Sequence, residues 1–96
     1  MYLYFKRPWE QTRGDNYDHW GASIWYLETK DNGEVIRQIE VYESGPKNKY
    51  CTTNTSNKYG GLSSYPLDLP DFQPYKIKKI EFERAWISAG KQDYNN

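Results

Sequence analysis

ASIWYLETKDNGEVIRQIEVYE, residues 22–43, reads as two β-strands folded back on one another. Residues 22–29 and 34–43 are rich in Ile, Val, Trp and Tyr, which suit a pleated, half-buried surface, and Asp31, Asn32 and Gly33 between them are turn formers. Two registers compete. A two-residue turn at Asn32 and Gly33 sets Trp25 opposite Glu40 and Leu27 opposite Gln38, mixing apolar and polar side chains. A three-residue loop of Asp31, Asn32 and Gly33 sets Trp25 opposite Ile39, Leu27 opposite Arg37, Thr29 opposite Val35 and Ser23 opposite Val41. A slip of one residue exchanges every side chain between faces, so the better-sorted second register is expected, with Gly33 at positive φ. Trp25, Leu27, Val35, Ile39 and Val41 then look inward, with Arg37 diagonal to Trp25 and laid on its ring. The opposite face carries Ile24, Tyr26, Glu28, Ile36, Gln38, Glu40 and Tyr42, a mixture that suits an interface and equally a partly solvated sheet face.

Working outward, residues 2–6 form a short aromatic-rich strand before Pro8, and residues 9–20 form a polar loop containing Gly14, Asp15, Asn16 and Asp18. Gly45 and Pro46 turn the chain into a further strand near 48–52. Residues 53–75 carry Tyr59, Gly60, Gly61, Pro66, Pro70 and Pro74 and show no sustained periodicity. Leu62, Leu67, Leu69 and Phe72 can wrap this connection over the core, although long connections of this kind are often functional. Phe82, Ala85, Trp86 and Ala89 recur at helical spacing and Gly90 stops the run. Ile77 and Phe82 are spaced as a hydrophobic staple about an N-cap at Lys78, with Glu81 at the capping-box position. Residues 91–96 read as a frayed tail. The expected architecture is a single α+β domain spanning 1–96: an antiparallel sheet of about four or five strands with a C-terminal helix packed on one face through Phe82 and Trp86.

Thirteen Lys and Arg balance thirteen Asp and Glu, which argues against a general nucleic-acid binder held by counterion release. One cysteine rules out an internal disulfide and points to a reducing, cytoplasmic setting. Neither a signal peptide nor a run of ~20 apolar residues is seen, so no membrane association is expected. Ten Tyr, four Trp and three Phe supply the contact area that the scarce aliphatic residues do not.

Catalytic signatures are missing. His19 is the only histidine and Cys51 the only thiol, and there is no phosphate loop, two-histidine motif or paired-cysteine motif. No catalytic residue, metal ligand or cofactor is assigned. His19, Glu40 and Arg37 supply the residue types of a metal-independent ribonuclease, but Arg37 and Glu40 fall on opposite faces of their strand.

Tyr17, Asp18, His19, Trp20, then Ser23 to Glu28, then Arg37 to Tyr42, resemble a family of small bacterial domains of unknown function. Tyr59, Gly60, Gly61, Leu62, Pro66, Leu67 and the final Glu81, Phe82, Glu83 and Trp86 extend the resemblance over nearly the whole chain. Such domains are similar in kind to the immunity proteins of contact-dependent or polymorphic toxin systems. The resemblance implies a cytoplasmic, non-catalytic protein that neutralises a cognate toxin, such as a nuclease, by covering its active site. Asp15, Asp18, Tyr26, Glu28, Gln38, Glu40 and Tyr42 are the side chains expected to do so. Two other readings stand beside it: a small-ligand module with an aromatic pocket, and the ribonuclease.

Overall fold

Four antiparallel strands run in chain order across one sheet: β1 (Tyr2–Trp9), β2 (Ser23–Lys30), β3 (Val35–Tyr42) and β4 (Lys47–Cys51). A computed structural model of the chain describes residues 1–90, and the tail expected at 91–96 lies outside the described residues. Two-residue strands β5 (Ser56–Asn57) and β6 (Gly60–Gly61) form a separate small hairpin. A single turn of helix, α1 (Leu69–Phe72), continues into a 3-10 turn at Gln73–Tyr75, and α2 (Lys79–Ser88) ends the described chain. The fold is α+β, as the periodicities require. Residues 53–75, expected to lack regular structure, contain β5, β6 and α1. These elements are too short for a periodicity to show.

The central hairpin corrects the expected register. Its tip is the three-residue loop: the Lys30 amide donates to Glu34 O and the Gly33 amide to Lys30 O, both at 2.9 Å, Gly33 has φ +90°, and Thr29 faces Val35. Beyond that pair, however, Glu28 faces Arg37, Leu27 faces Gln38 and Trp25 faces Glu40. Ile36 is the extra residue of a bulge, so the rejected register is the one that holds along most of β2 and β3. Beyond the Leu3–Thr29–Val35 row beside the hairpin tip, which lies on the second face, three cross-strand rows make up each face. One face carries Tyr4–Glu28–Arg37–Cys51, Lys6–Tyr26–Ile39–Lys49 and Pro8–Ile24–Val41–Lys47. The other carries Phe5–Leu27–Gln38–Tyr50, Arg7–Trp25–Glu40–Asn48 and Trp9–Ser23–Tyr42.

Both faces are covered. Helix α2 lies on the first, where Phe82 joins Tyr4 and Ile39 in a buried cluster flanked by Tyr26, Val41, Ile77 and Trp86. Residues 62–72 lie on the second, where Leu62, Leu67, Leu69 and Phe72 close over Phe5, Leu27 and Val35. The apolar set expected on one face is thus divided, with Trp25, Leu27 and Val35 on the loop side and Ile39 and Val41 on the helix side. Arg37 consequently leaves Trp25 and lies over Phe82 and Trp86, with its guanidinium carbon 4.8 and 5.0 Å from their ring centroids.

Helix α2 begins after Lys78 and ends before Gly90, whose φ is +77°. The staple forms, since Ile77 and Phe82 share a cluster. The capping box does not: Lys78 makes no side-chain cap, and the Glu81 carboxylate lies 3.9 Å from Lys6. The entry to the helix is held instead by the chain before it, where the Ile77 amide donates to Tyr4 O at 2.9 Å. Among the described residues no helix is long and apolar enough to cross a membrane.

Candidate functional site

The loop-covered face places Glu40 between Trp25 and Asn48 in its cross-strand row. Glu40 is only 4% exposed. The Tyr42 hydroxyl donates to Oε1 at 2.8 Å and Gln38 Nε2 donates to Oε2 at 2.7 Å. Gln38 is itself fixed at both ends of its amide, donating to Gly61 O at 3.3 Å and accepting from the Ser63 amide at 2.9 Å. Burial pushes the Glu40 carboxyl above its ordinary range, because its neutral partners offset only part of the cost of holding a charge away from water. Burial, then the neighbouring Glu40, raises Tyr42 to about 12.

Arg13 ties the 10–21 loop to this strand pair. Its guanidinium donates to both oxygens of Asp15, to the Tyr42 hydroxyl at 3.2 Å and to the carbonyl of Tyr59. It also lies 5.3 to 5.8 Å from the ring centroids of Tyr17, Trp20 and Tyr42. Those rings and Tyr59 pack on one another with centroids 4.8 to 5.1 Å apart. A loop without periodicity is therefore held by a cation inside an aromatic box. The Arg13 hydrogen bonds hold the Asp15 carboxyl below its ordinary range.

A cleft of about 410 Å³ opens beside this box, with Glu40, Tyr42 and Ser23 on the sheet, Arg13 and Asp15 on the loop, and Tyr59 opposite. Trp9 and Trp25 are its aromatic wall. The same two indoles also border an apolar cavity of about 180 Å³ closed by Leu27, Leu67 and Phe72, with Arg7 and Ser63 at its polar edge. Arg7 is stacked over Trp9, Phe72 and Tyr75 and pairs with Asp71 at 2.9 Å. A third hollow, about 270 Å³, adjoins Trp9, Ile24 and Val41. Trp9 borders all of these cavities and is 42% exposed.

The residues expected to form one open interface are divided by the bulge. Glu28 is 4% exposed on the helix face, where it pairs with Arg37, and Tyr26 is half-buried beneath Lys6. Gln38, Glu40 and Tyr42 are on the other face and buried. Glu28 and Gln38 are packed inside the fold, and of the four buried groups Glu40 and Tyr42 alone line the cleft. Asp15 and Asp18 are exposed, and Asp18 Oδ1 accepts the Gly14 amide at 2.7 Å, a turn-forming bond. Trp9, Arg13, Trp25 and Tyr59 complete the cleft and were not expected there. Trp9 lay in a stretch read as loop, and Trp25 was assigned to the interior by the unbulged register.

The ribonuclease groups do not converge. Arg37 is engaged by Glu28 and Glu83 on the helix face, Glu40 points to the other face, and His19 is exposed in a 3-10 turn at Asp18–Trp20. Cys51 lies on β4, its Sγ 3.2 Å from Thr53 Oγ1. Among the described residues no group of acidic, His or Cys side chains is arranged to hold a metal ion. No protein-family model, curated protein or solved structure matches the chain.

Proposed function

We propose that this chain is a non-catalytic binding protein that neutralises a cognate protein toxin, in the manner of the immunity proteins its sequence resembles. The observation that supports this reading is the pair of cavities sharing Trp9 and Trp25. One side of the shared wall is apolar and the other is polar, so a protruding partner segment can bury an anchor in the first and hydrogen-bond in the second. The walls are already rigid. Arg7 and Arg13 are each held by a carboxylate and stacked on rings, so little side-chain freedom remains to be lost on binding. Interfaces concentrate their energy in Trp, Tyr and Arg, and these line the cleft.

The proposal places the contact on Trp9, Trp25, Tyr59 and Phe72, with Asp15 at the rim and Glu40 and Tyr42 on the floor. Tyr26, Glu28 and Gln38 act inside the fold. The test is to express toxin domains encoded beside the gene with and without this protein, and to measure the affinity of any complex. Growth protection with a stoichiometric complex is expected. Trp9→Ala should weaken that complex by more than ~2 kcal/mol without changing the unfolding temperature. Failure to protect against, or to bind, any such domain removes the immunity reading.

One observation favours a second reading as a small-ligand module: Ser23, Glu40, Tyr42 and Arg13 converge on the same aromatic-walled cleft. A thermal-shift screen of sugars and nucleosides separates the two, since a ligand that stabilises the wild type and not Trp9→Ala would favour the module.

A further inference from the structure

Glu40 carries a charge that the packing of the fold compensates only in part. Its hydrogen-bond partners Tyr42 and Gln38 are neutral, and the nearest loop cation, Arg13, reaches it only through the Tyr42 hydroxyl and is itself matched by Asp15 through three hydrogen bonds, so its charge offsets the burial of Glu40 only in part. A buried carboxylate is costly unless a cation meets it. This one faces a cleft walled by Trp9, Trp25 and Tyr59. Negative charge on the floor and aromatic faces on the walls select a flat, weakly hydrated cation over an anion or a neutral group. The fold itself uses that solution repeatedly, with Arg7, Arg13 and Arg37 each stacked on rings and paired to a carboxylate.

We infer that the Glu40 cleft receives the guanidinium of an arginine on the partner protein, stacked on the Trp9 and Trp25 wall and ion-paired to Glu40. This deepens the protein-binding reading and rests on it. An ammonium would satisfy the charge and can sit over one ring, as Lys49 does over Trp86 at 4.2 Å, but it is more strongly hydrated and cannot lie flat on the wall. A basic active site, such as that of a nuclease, presents side chains of this chemistry.

The cleft can be probed without any toxin. N-acetyl-argininamide is titrated into the folded protein while the indole N–H signals are followed by NMR. Trp25 provides a marker inside the site, since its Nε1 donates to Ser23 Oγ at 2.8 Å. Saturable shifts of the Trp9 and Trp25 signals are expected, with weaker binding of N-acetyl-lysinamide and none of the isosteric, uncharged N-acetyl-citrullinamide. Glu40→Gln should lower the affinity by about tenfold. Trp9→Ala, which alters an exposed rim residue, should also lower it and carries the test if Glu40→Gln disturbs the fold. Equal shifts with citrullinamide, no shifts with argininamide, or undiminished affinity in both variants would overturn the inference. A silent titration beside an intact toxin complex removes the arginine and leaves the immunity reading. A positive titration with no toxin complex removes the toxin and leaves a guanidinium site.

Discussion

Arginine does in this molecule what aliphatic side chains do in others. Arg37 links Glu28 on β2 to Glu83 on α2, with bonds of 3.0 and 2.8 Å to the latter, while its face covers Phe82 and Trp86. Removing it strands the buried Glu28 carboxylate. Arg37→Met should therefore cost about 3 kcal/mol in urea unfolding, and adding Glu28→Gln should recover part of that loss. A double variant no more stable than Arg37→Met would show that packing, not charge, is what Arg37 supplies. Glu40 and Glu83 predict opposite pH dependences. Glu83 is held below the ordinary 4.5 by Arg37, so its contribution is present above that value and lost as pH falls through the lowered one. Glu40 is raised from 4.5 by burial, so its contribution is present below that value and lost as pH rises through the raised one. Glu40→Gln should accordingly gain stability relative to wild type as pH rises above about 4.5 and then level off. Urea midpoints of both proteins measured across pH check this, and a pH-independent difference would contradict it.

At the scale of elements, the bulge at Ile36 settles which side chains meet. It lets the three-residue tip and the shifted pairing of Trp25 with Glu40 coexist in one hairpin. Without it, Glu40 would turn toward α2 and Arg37 toward the cleft, reversing the charge on both faces. Gly33 joins this hairpin to the cover of the cleft. Leu67 donates its amide to Gly33 O at 2.9 Å, and a Cβ on Gly33 would stand 2.6 Å from the Leu67 carbonyl oxygen. Positive φ and that clash together make Gly33→Ala destabilising by ~2 kcal/mol or more. Hydrogen exchange should show the Leu67 amide losing protection first, since the loop must lift before the sheet opens. Uniform loss of protection would mean that the two units open together.

The whole molecule is one sheet between unequal covers, a ten-residue helix on one face and an irregular loop on the other. Phe82 is fully buried at the centre of the helix side, and Phe82→Ala should cost about 3 to 5 kcal/mol. Phe72 is half-buried on the loop side. Phe72→Ala should cost less globally yet open the apolar cavity, exposing 62–75 to limited proteolysis while α2 stays intact. Cleavage within α2 at the same protease dose would show that the loop is not an independent cover.

Most strand and helix placement was legible in the sequence because those signals are local, although β1 runs through Pro8 to Trp9 rather than ending at residue 6, and β5, β6 and α1 were not marked. Ile, Val and Tyr mark β2 and β3, Gly33 marks the turn, and Phe82, Ala85, Trp86 and Ala89 mark α2. That Leu62, Leu67, Leu69 and Phe72 wrap over the core was legible too, but not that they cover Leu27 on the face opposite the helix. The site was not. Alternation sorts a strand only when one face is wet, and here both are buried, so polar Gln38 and Glu40 alternate with apolar Ile39 and Val41 between two interiors. The choice between registers rested on one extra residue, Ile36, whose cost and gain lie in contacts far along the chain. The sequence therefore determined four strands, a turn and a helix, through local propensity and period. Tertiary packing alone decided which side of the sheet each charge faces, because only there do Arg37, Glu83, Arg13 and Tyr42 come within reach of their partners.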